Sequence, residues 1–196
     1  MSSRDADDLD DLELLRKICA ADHQAFEQLY KRYYQRLFRF AYRVLRRLES
    51  IEEIINDVMY VVWRRAASFN PQGRVSTWIF GIAYRKCLKA SVSGNSSEHV
   101  PLDDAEDTMP AQIDGGLRDL EIEDWLSVAF SKLPADQRAV LELTYHQGLH
   151  YGEIAEIMQC PENTVKTRMF HARRKIKALF PDLIEDMRQV ARGKSL

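Results

Sequence analysis

The chain has 196 residues, of which 45% are hydrophobic and 30% charged, a composition that predicts a globular protein and excludes wholesale disorder. A net charge of −2, from 28 Lys and Arg against 30 Asp and Glu, argues as a total against nucleic-acid binding. Three Cys without a CxxC motif predict no disulfide framework. With no signal-peptide pattern and no membrane-spanning apolar run, we expect a cytoplasmic protein without membrane insertion.

The charge is distributed along the chain in blocks of opposite sign. Residues 1–14 carry six acidic side chains against one basic, and residues 98–124 carry ten against one. Three stretches have only basic charges: seven Lys and Arg in residues 31–48, six in 58–97 and six in 163–181. Such blocks favour a polyanionic partner, although helix faces exposed to solvent would give the same pattern. The near-neutral total therefore does not exclude DNA binding.

Helices are predicted through most of the first half of the chain. Apolar residues at three- and four-residue steps predict an amphipathic helix over residues 25–45, with arginines on its opposite face. The same pattern predicts helices over residues 51–66 and about 78–90, the latter capped by Ser76 or Thr77. The intervening FNPQGR sequence contains Pro and Gly and predicts a loop.

Helical periodicity along the chain predicts an all-α fold of two small helical domains, joined by a flexible acidic linker. Residues 1–20 form an acidic extension, interpreted as a frayed tail with a regulatory role as the alternative, ahead of a first domain over residues 21–91. Residues 92–118 lack periodicity and are rich in Ser, Gly, Pro and acidic residues. We interpret this linker as a solubilising spacer rather than a shield for the basic faces. A second domain over residues 119–181 and a tail over 182–196 follow.

The second domain has the arrangement of a helix-turn-helix. Helices are predicted over residues 120–131 and from Pro134 onward. A short helix over residues 151–158, a break at residues 159–161 and a long basic helix over residues 162–179 then follow. A short helix, a tight turn and a longer basic helix are typical of this DNA-binding motif.

The spacing of residues in the last helix predicts which face meets DNA. One buried stripe recurs at steps of four, three, four and three: Val165, Met169, Ala172, Ile176 and Leu179. The opposite face carries basic, amide, hydroxyl and aromatic side chains: Asn163, Lys166, Thr167, Phe170, Arg173, Arg174 and Lys177, flanked by Arg168 and His171. Basic side chains bind phosphates or guanine, Asn and Thr bind base edges, and aromatics contact thymine methyl groups. A basic face that is only solvated is the alternative.

Two ordered blocks of sequence resemble the extracytoplasmic-function (ECF) bacterial sigma factors. Residues 153–173 (EIA, CPENTVKTR and AR) are similar to region 4.2, and residues 133–141 (LPADQRAVL) resemble the stretch leading into it. Upstream, residues 52–63 (EEIINDVMYVVW) resemble region 2.2 and residues 77–83 (TWIFGIA) the start of region 2.4. Two ordered blocks are stronger evidence than a lone helix-turn-helix.

The resemblance implies a promoter-recognition subunit without enzymatic activity. Its first domain binds the clamp helices of the polymerase β′ subunit, and its second lies on the β flap with the last helix in the −35 major groove. An anti-sigma factor that covers both domains and a role in a stress response are further implications. The residues expected to bind polymerase are Glu53, Asn56, Asp57 and Tyr60. Asn56 replaces the usual Gln, and His150 replaces the usual Ser or Thr cap.

The resemblance also assigns the two DNA contacts. The loop over residues 69–76 captures a flipped non-template base of the −10 element, since a base must leave the stack to expose all its edges. The residues expected to bind the −10 strand are Asn70, Gln72, Arg74, Ser76, Arg85 and Lys89. Those expected to contact the −35 duplex are Asn163, Thr164, Lys166, Thr167, Arg168, Phe170, His171, Arg173 and Arg174.

Two other function classes remain as alternatives. For an enzyme, His146 and His150 lie four residues apart, but no Cys or acid completes a zinc set. Cys19, Cys87 and Cys160 are interpreted as small buried thiols. Without a Gly-rich phosphate loop or a nucleophile–base pattern, we expect no catalytic residue, cofactor or metal. A helix-turn-helix regulator that acts without being a polymerase subunit leaves the sequence block over residues 51–90 unexplained.

Overall fold

The computed structural model describes residues 3–93 and 129–179, and every regular element in these ranges is helical. The helices are α1 (Ser3–Cys19), α2 (His23–Leu45), α3 (Ile51–Arg65), α4 (Val75–Ser93), α5 (Ala135–Tyr145), α6 (Tyr151–Met158) and α7 (Glu162–Leu179), with a 3-10 turn at Ala66–Ser68. The all-α prediction is confirmed. The predicted C-terminal tail, most of the linker and most of the helix predicted over residues 120–131 lie outside the described residues.

The long helix α2 forms as its periodicity predicts. The Asp22 carboxylate caps the first turn by accepting hydrogen bonds from the backbone amides of Gln24 (2.8 Å) and Ala25 (3.0 Å). At the other end Arg46 adopts the left-handed conformation, with φ 60°. The buried face of the helix carries Leu29, Tyr33, Leu37, Phe40 and Val44. This face supplies much of the core on which the other helices pack.

The acidic amino-terminal segment is a packed helix, so the prediction of a frayed tail is wrong. The helix α1 lies against α2 and α4, and its buried apolar residues are Leu14, Leu15 and Ile18. The carboxylate of Asp11 is also buried and accepts hydrogen bonds from Arg32 (2.6 Å) and Tyr33 (2.5 Å). Burial and the nearby Asp11 raise the pKa of Tyr33 well above its ordinary value. The apolar residues of α1 anchor its acidic sequence to the domain.

The start of α4 differs from the sequence prediction. The helix begins at Val75, three residues earlier than expected, and neither Ser76 nor Thr77 caps it. The Asp8 carboxylate of α1 accepts a hydrogen bond from the Val75 amide at 3.1 Å. Thr77 lies buried inside the helix instead. A cap supplied from 67 residues away leaves no local sequence signal.

The second half forms the predicted helix-turn-helix. The turn between α6 and α7 contains Gln159 in the left-handed conformation, with φ 50°. The Cys160 amide donates to the Ala155 carbonyl (3.1 Å), which closes the end of α6. Buried Ile154 and Val165 belong to the core that α5, α6 and α7 share. The long basic helix therefore packs on a support of two helices, α5 and α6.

The two helical halves pack against each other and share one continuous core. The helix α4 lies on α6, and α2 lies on α5. Arg138 of α5 donates hydrogen bonds to the Val44 carbonyl from Nε (2.9 Å) and Nη2 (2.5 Å), and from Nη1 to the Leu133 carbonyl (2.6 Å). Val44 lies in the last turn of α2, where carbonyls lack helical partners. Desolvation lowers the pKa of Arg138 to about 10.

Among the described helices, none is both long enough and apolar enough to cross a membrane.

Candidate nucleic-acid interface

The outer face of α7 is the face that the sequence pattern predicts. Of the predicted buried stripe, Val165, Met169 and Ala172 are buried and Ile176 is half-buried, but Leu179 is exposed, so its predicted burial is wrong. The opposite side is exposed at every predicted position: Asn163, Lys166, Thr167, Phe170, Arg173, Arg174 and Lys177. The flanking candidates Thr164, Arg168 and His171 are half-buried. Three helices therefore hold an exposed basic ridge of the length that enters a major groove.

Side-chain contacts organise this ridge. The Phe170 ring is 60% exposed, and the Arg174 guanidinium lies 5.8 Å from its centroid. Lys166 pairs with Glu162 one turn earlier, at 2.8 Å. Arg173 donates two hydrogen bonds to the hydroxyl of Tyr145, a residue that the sequence pattern does not single out. The ridge thus combines cations with an aromatic surface, which suits phosphates and thymine methyl groups.

Arg168 lies on a different side of α7 from these residues. Its Nε is 2.9 Å from the Asp136 carboxylate of α5, and its Nη1 lies 3.5 Å from the Cys160 sulfur. The Arg168 guanidinium also hydrogen-bonds the buried Tyr84 hydroxyl of α4. Burial raises the pKa of Tyr84, and the nearby guanidinium offsets part of this rise. Arg168 therefore joins α7 to α4 and α5, a contact that its predicted −35 role does not account for.

The loop before α4 is ordered by its own polar groups. The Asn70 side chain accepts a hydrogen bond from the Gln72 amide (3.1 Å), and the Gly73 amide donates to the Asn70 carbonyl (2.9 Å). The Phe69 and Trp78 rings pack with centroids 5.4 Å apart and planes tilted by 55°. Asn70 and Gln72 are exposed. The loop therefore presents amide groups beside an aromatic pair, a combination suited to an unstacked base.

Arg74, at the end of this loop, is surrounded by carboxylates from two other helices. Its Nη1 lies 3.2 Å from the Glu153 carboxylate of α6. Asp8 of α1 caps the adjacent amide of Val75, and burial raises its pKa while Arg74 partly lowers it. Both acidic neighbours are distant in sequence, and no local pattern predicts them.

The remaining predicted −10 residues are spread along α4 rather than gathered at the loop. Arg85 and Lys89 are exposed and lie one turn apart. Ser76 is half-buried in the first turn, about 13 Å along the axis from Arg85 at 1.5 Å per residue. The six candidates are therefore spread along a track from the loop into α4, with Ser76 on the opposite side of the helix from Arg85, nine residues later.

The predicted polymerase-binding residues share one exposed face of α3: Glu53, Asn56, Asp57 and Tyr60. The Tyr30 hydroxyl of α2 donates to the Asn56 side-chain oxygen at 2.9 Å. Lys86 of α4 lies 2.6 Å from Asp57. Tyr60 is 63% exposed, which is unusual for a large apolar ring. This face combines acidic, amide and aromatic groups.

An aromatic row on α2 borders this face and was not singled out from the sequence. Phe26, Tyr30, Tyr34 and Phe38 are partly buried, and successive ring centroids lie 6.3, 5.9 and 6.3 Å apart. The four-residue spacing of these aromatics is visible in the sequence and predicts such a row. The Tyr34 hydroxyl lies 3.4 Å from the Glu52 carboxylate of α3. The groove between α2 and α3 is thus lined by rings with polar tips.

The cysteines and histidines form no metal centre in residues 3–93 and 129–179. Cys87 is buried, and desolvation raises the pKa of its thiol to about 12. Cys160 is half-buried, but Cys19 is exposed, so its interpretation as a buried thiol is wrong. His146 lies 3.0 Å from the buried Glu142 one turn earlier.

Sequence comparisons match both halves of the chain. Residues 29–93 match sigma-70 region 2, and residues 123–176 match sigma-70 region 4. The ECF RNA polymerase sigma factor SigM of Mycobacterium tuberculosis is 31% identical over 171 residues, covering 86% of this chain and 84% of that protein. The RNA polymerase sigma-H factor of Pseudomonas aeruginosa is 28% identical over 187 residues, covering 89% and 96%.

Solved structures resemble the fold over most of its length. CnrH, solved in complex with the cytosolic domain of CnrY, superposes with a TM-score of 0.65 at 20% identity, covering 88% of this chain and 97% of that one. The sigma factor RpoE of Bartonella quintana, solved with the anti-sigma factor NepR, superposes with a TM-score of 0.62 at 25% identity, covering 80% and 97%.

Proposed function

The chain belongs to the ECF RNA polymerase sigma factors. On this premise we propose which of its surfaces bind the −35 element, the −10 element and core polymerase. It is a transcription initiation factor rather than an enzyme. It binds core RNA polymerase and directs transcription from specific promoters. A regulator that acts without being a polymerase subunit is not favoured, because sigma-70 region 2 matches most of the first domain, at residues 29–93.

The −35 element is bound by the exposed face of α7. The single observation that supports this role is an unobstructed ridge of basic, amide and aromatic side chains on the second helix of a helix-turn-helix. Lys166 and Arg174 contact phosphates or guanine, Asn163 and Thr167 contact base edges, and Phe170 contacts a thymine methyl group. Arg173 adds a cation to this face, and Thr164 and His171 contact the duplex from its flanks. Arg168 is not assigned a DNA contact, because it pairs with Asp136 of α5.

The −10 element is bound by the loop before α4 and by the track along that helix. An unstacked base enters beside Phe69 and Trp78, where aromatic stacking returns roughly 1–3 kcal/mol of the unstacking cost. Asn70 and Gln72 supply amide groups there. The cations that follow the strand are Arg74, Arg85 and Lys89, with Ser76 at the start of α4.

The Arg74–Glu153 contact makes binding of the −10 element by Arg74 depend on the position of the second domain. A guanidinium that pairs with a carboxylate has to exchange it for a phosphate before it holds DNA. We therefore propose that polymerase binding separates α4 from α6 and so releases Arg74. The −35 face requires no such change, because it is exposed beforehand.

Core polymerase is bound through the exposed face of α3, which docks on the clamp helices of the β′ subunit, while the second domain docks on the β flap. Glu53 and Asp57 meet basic partner groups, and Asn56 and Tyr60 add polar and aromatic contacts. The protein acts in the cytoplasm, with a stress response as the expected setting. An anti-sigma factor is proposed as its inhibitor, since the similar RpoE was solved with one.

Pull-down of core polymerase tests this assignment. We expect the tagged chain to retain core polymerase, and Asp57→Ala with Tyr60→Ala to weaken retention about tenfold or more. Arg16→Ala with Lys17→Ala, two exposed changes on α1, serves as the matched control. Retention that is unchanged by the α3 variants would exclude this face, and absence of retention would favour a regulator that is not a polymerase subunit.

A further inference from the structure

A side chain from outside the recognition helix reaches the DNA-binding ridge of α7. Tyr145, the last residue of α5, is 59% exposed. Its hydroxyl oxygen accepts hydrogen bonds from Arg173 Nε at 3.1 Å and Nη2 at 2.6 Å. The guanidinium also lies 5.7 Å from the Tyr145 ring centroid. The partners are 28 residues apart, so the fold of the second domain creates this contact.

The place of Arg173 on α7 puts this contact at the edge of the proposed DNA surface. Lys166, Phe170, Arg173 and Lys177 recur at steps of four, three and four, which aligns them along one line of the helix. All four are exposed. Tyr145 lies beside this line, at Arg173, and a DNA backbone that follows the ridge passes its hydroxyl.

The chemistry of the pair matches a phosphate. A tyrosine hydroxyl that accepts hydrogen bonds keeps its own proton for donation, and a guanidinium has five N–H donors, of which Tyr145 engages two. The pair therefore presents an O–H donor and N–H donors side by side, together with one positive charge. Charge-assisted hydrogen bonds of this kind are about twice as strong as neutral ones.

A purely structural role explains the pair less well. Both side chains are exposed, and an exposed contact of this kind contributes little to folding because ordering a long side chain costs rotamer entropy. The same ordering is useful for binding, since a guanidinium that is already oriented loses less freedom when DNA arrives.

We propose that Tyr145 is a DNA contact of the −35 complex: its hydroxyl orients the Arg173 guanidinium and donates its proton to the phosphate that Arg173 binds. This proposal rests on the proposed role of α7 and adds a residue of α5 to that surface. Phosphate contacts are independent of base sequence, so a duplex of any sequence serves as the probe.

Fluorescence anisotropy of the full chain with a labelled DNA duplex, over a series of salt concentrations, tests the proposal. Tyr145→Phe removes the hydroxyl and keeps the ring, and we expect about tenfold weaker binding. Arg173→Ala is expected to lower the slope of log affinity against log salt by about 0.9. Because both residues serve one phosphate, the double variant is expected to lose less affinity than the product of the two single losses.

Matched controls make the outcome decisive. Tyr42→Phe removes the hydroxyl of a half-buried tyrosine on α2 and is expected to bind the duplex like the unaltered chain. The proposal is overturned by unaltered affinity in Tyr145→Phe, by fully multiplicative losses in the double variant, or by a loss that disappears after correction for the folded fraction. Lys166→Ala tests the underlying role of α7. If it weakens binding while Tyr145→Phe does not, only Tyr145 is wrong; if neither variant does, the role of α7 fails as well.

Discussion

The two surfaces assigned to DNA differ in how their cations are held. On α7, Lys166 and Arg174 are exposed on the outer side of the helix-turn-helix. In the loop before α4, Arg74 is half-buried and lies 3.2 Å from the Glu153 carboxylate. Lys166 also pairs with a carboxylate, but Glu162 lies one turn away on the same exposed helix (2.8 Å). Duplex DNA can therefore reach the first surface without domain movement, whereas single-stranded DNA has to displace a carboxylate of the other domain at the second.

This difference follows from where the two surfaces lie in the fold. The outer face of α7 is opposite the side that packs on α5 and α6. Arg74, in contrast, lies where the first domain meets the second, because α4 packs on α6. A cation at a domain boundary responds to domain movement, while a cation on an outer face does not. The comparison therefore links strand opening, but not duplex binding, to the arrangement of the domains.

The largest expected effect comes from replacing Arg138, which joins the second domain to the first through the Val44 carbonyl. Arg138→Ala leaves the Val44 carbonyl without its two hydrogen bonds and is expected to lower the free energy of unfolding by about 2 kcal/mol. Urea denaturation measures the change. Arg174→Ala removes the same charge from an exposed site and is expected to change stability little. Equal stabilities of the two variants would show that Arg138 does not hold the domains together.

Removal of the Arg74 side chain should affect the −10 surface alone. Arg74→Ala is expected to reduce promoter opening about tenfold, because a charge-assisted contact to the strand is lost, while affinity for core polymerase is not reduced. Lys89→Ala is expected to act in the same direction. A fluorescent base analogue in the −10 element reports the opening, with Arg16→Ala on α1 as the control. Normal opening in the Arg74 and Lys89 variants would contradict the proposed track.

Removal of a cation from the −35 surface is expected to act on duplex binding instead. Lys166→Ala should weaken binding of the −35 duplex about fivefold and lower the salt slope by about 0.9 if Lys166 contacts a phosphate. Promoter melting, once the complex has formed, is expected to be unaffected. Altered preference at one base pair with an unchanged slope would assign Lys166 to base recognition, and unaltered affinity would remove it from the surface.

The smallest expected effect comes from replacing Glu153, the carboxylate that pairs with Arg74. Glu153→Gln keeps an acceptor for the His150 amide (2.8 Å) but removes the charge that pairs with Arg74. We expect single-stranded −10 DNA to bind about threefold more tightly. Glu156→Gln, an exposed change on the same helix, is the control. The gain should vanish when Arg74→Ala is added; a gain that persists would mean that Glu153 acts through another residue.

The sequence predicts the helices and the recognition face well because these depend on local periodicity. The predicted start of the last helix, at residue 162, matches α7, and the exposed positions of its outer face follow from the buried stripe. The helix predicted over residues 51–66 corresponds to α3, which ends at Arg65, one residue earlier than predicted. The spacing of apolar residues along a helix is a property of that one segment, so it can be recognised without knowledge of what the helix packs against.

The sequence predicts poorly where distant residues meet. Asp8 caps α4 from 67 residues away, and Glu153 reaches Arg74 across 79. Judged by charge alone, the α1 sequence resembles a solvated tail, whereas its buried Leu14 and Ile18 anchor it to the domain. Such contacts depend on how helices pack, and no spacing within one segment encodes that.

Transcription by reconstituted polymerase tests the central assignment most directly. Core polymerase is combined with the full chain on a library of genomic fragments, and the run-off transcripts are sequenced. We predict transcripts from a limited set of start sites that share upstream −35 and −10 elements and that depend on the added chain. Arg74→Ala and Lys166→Ala should each reduce these transcripts. A transcript profile identical with and without the chain would contradict its assignment as a promoter-recognition subunit.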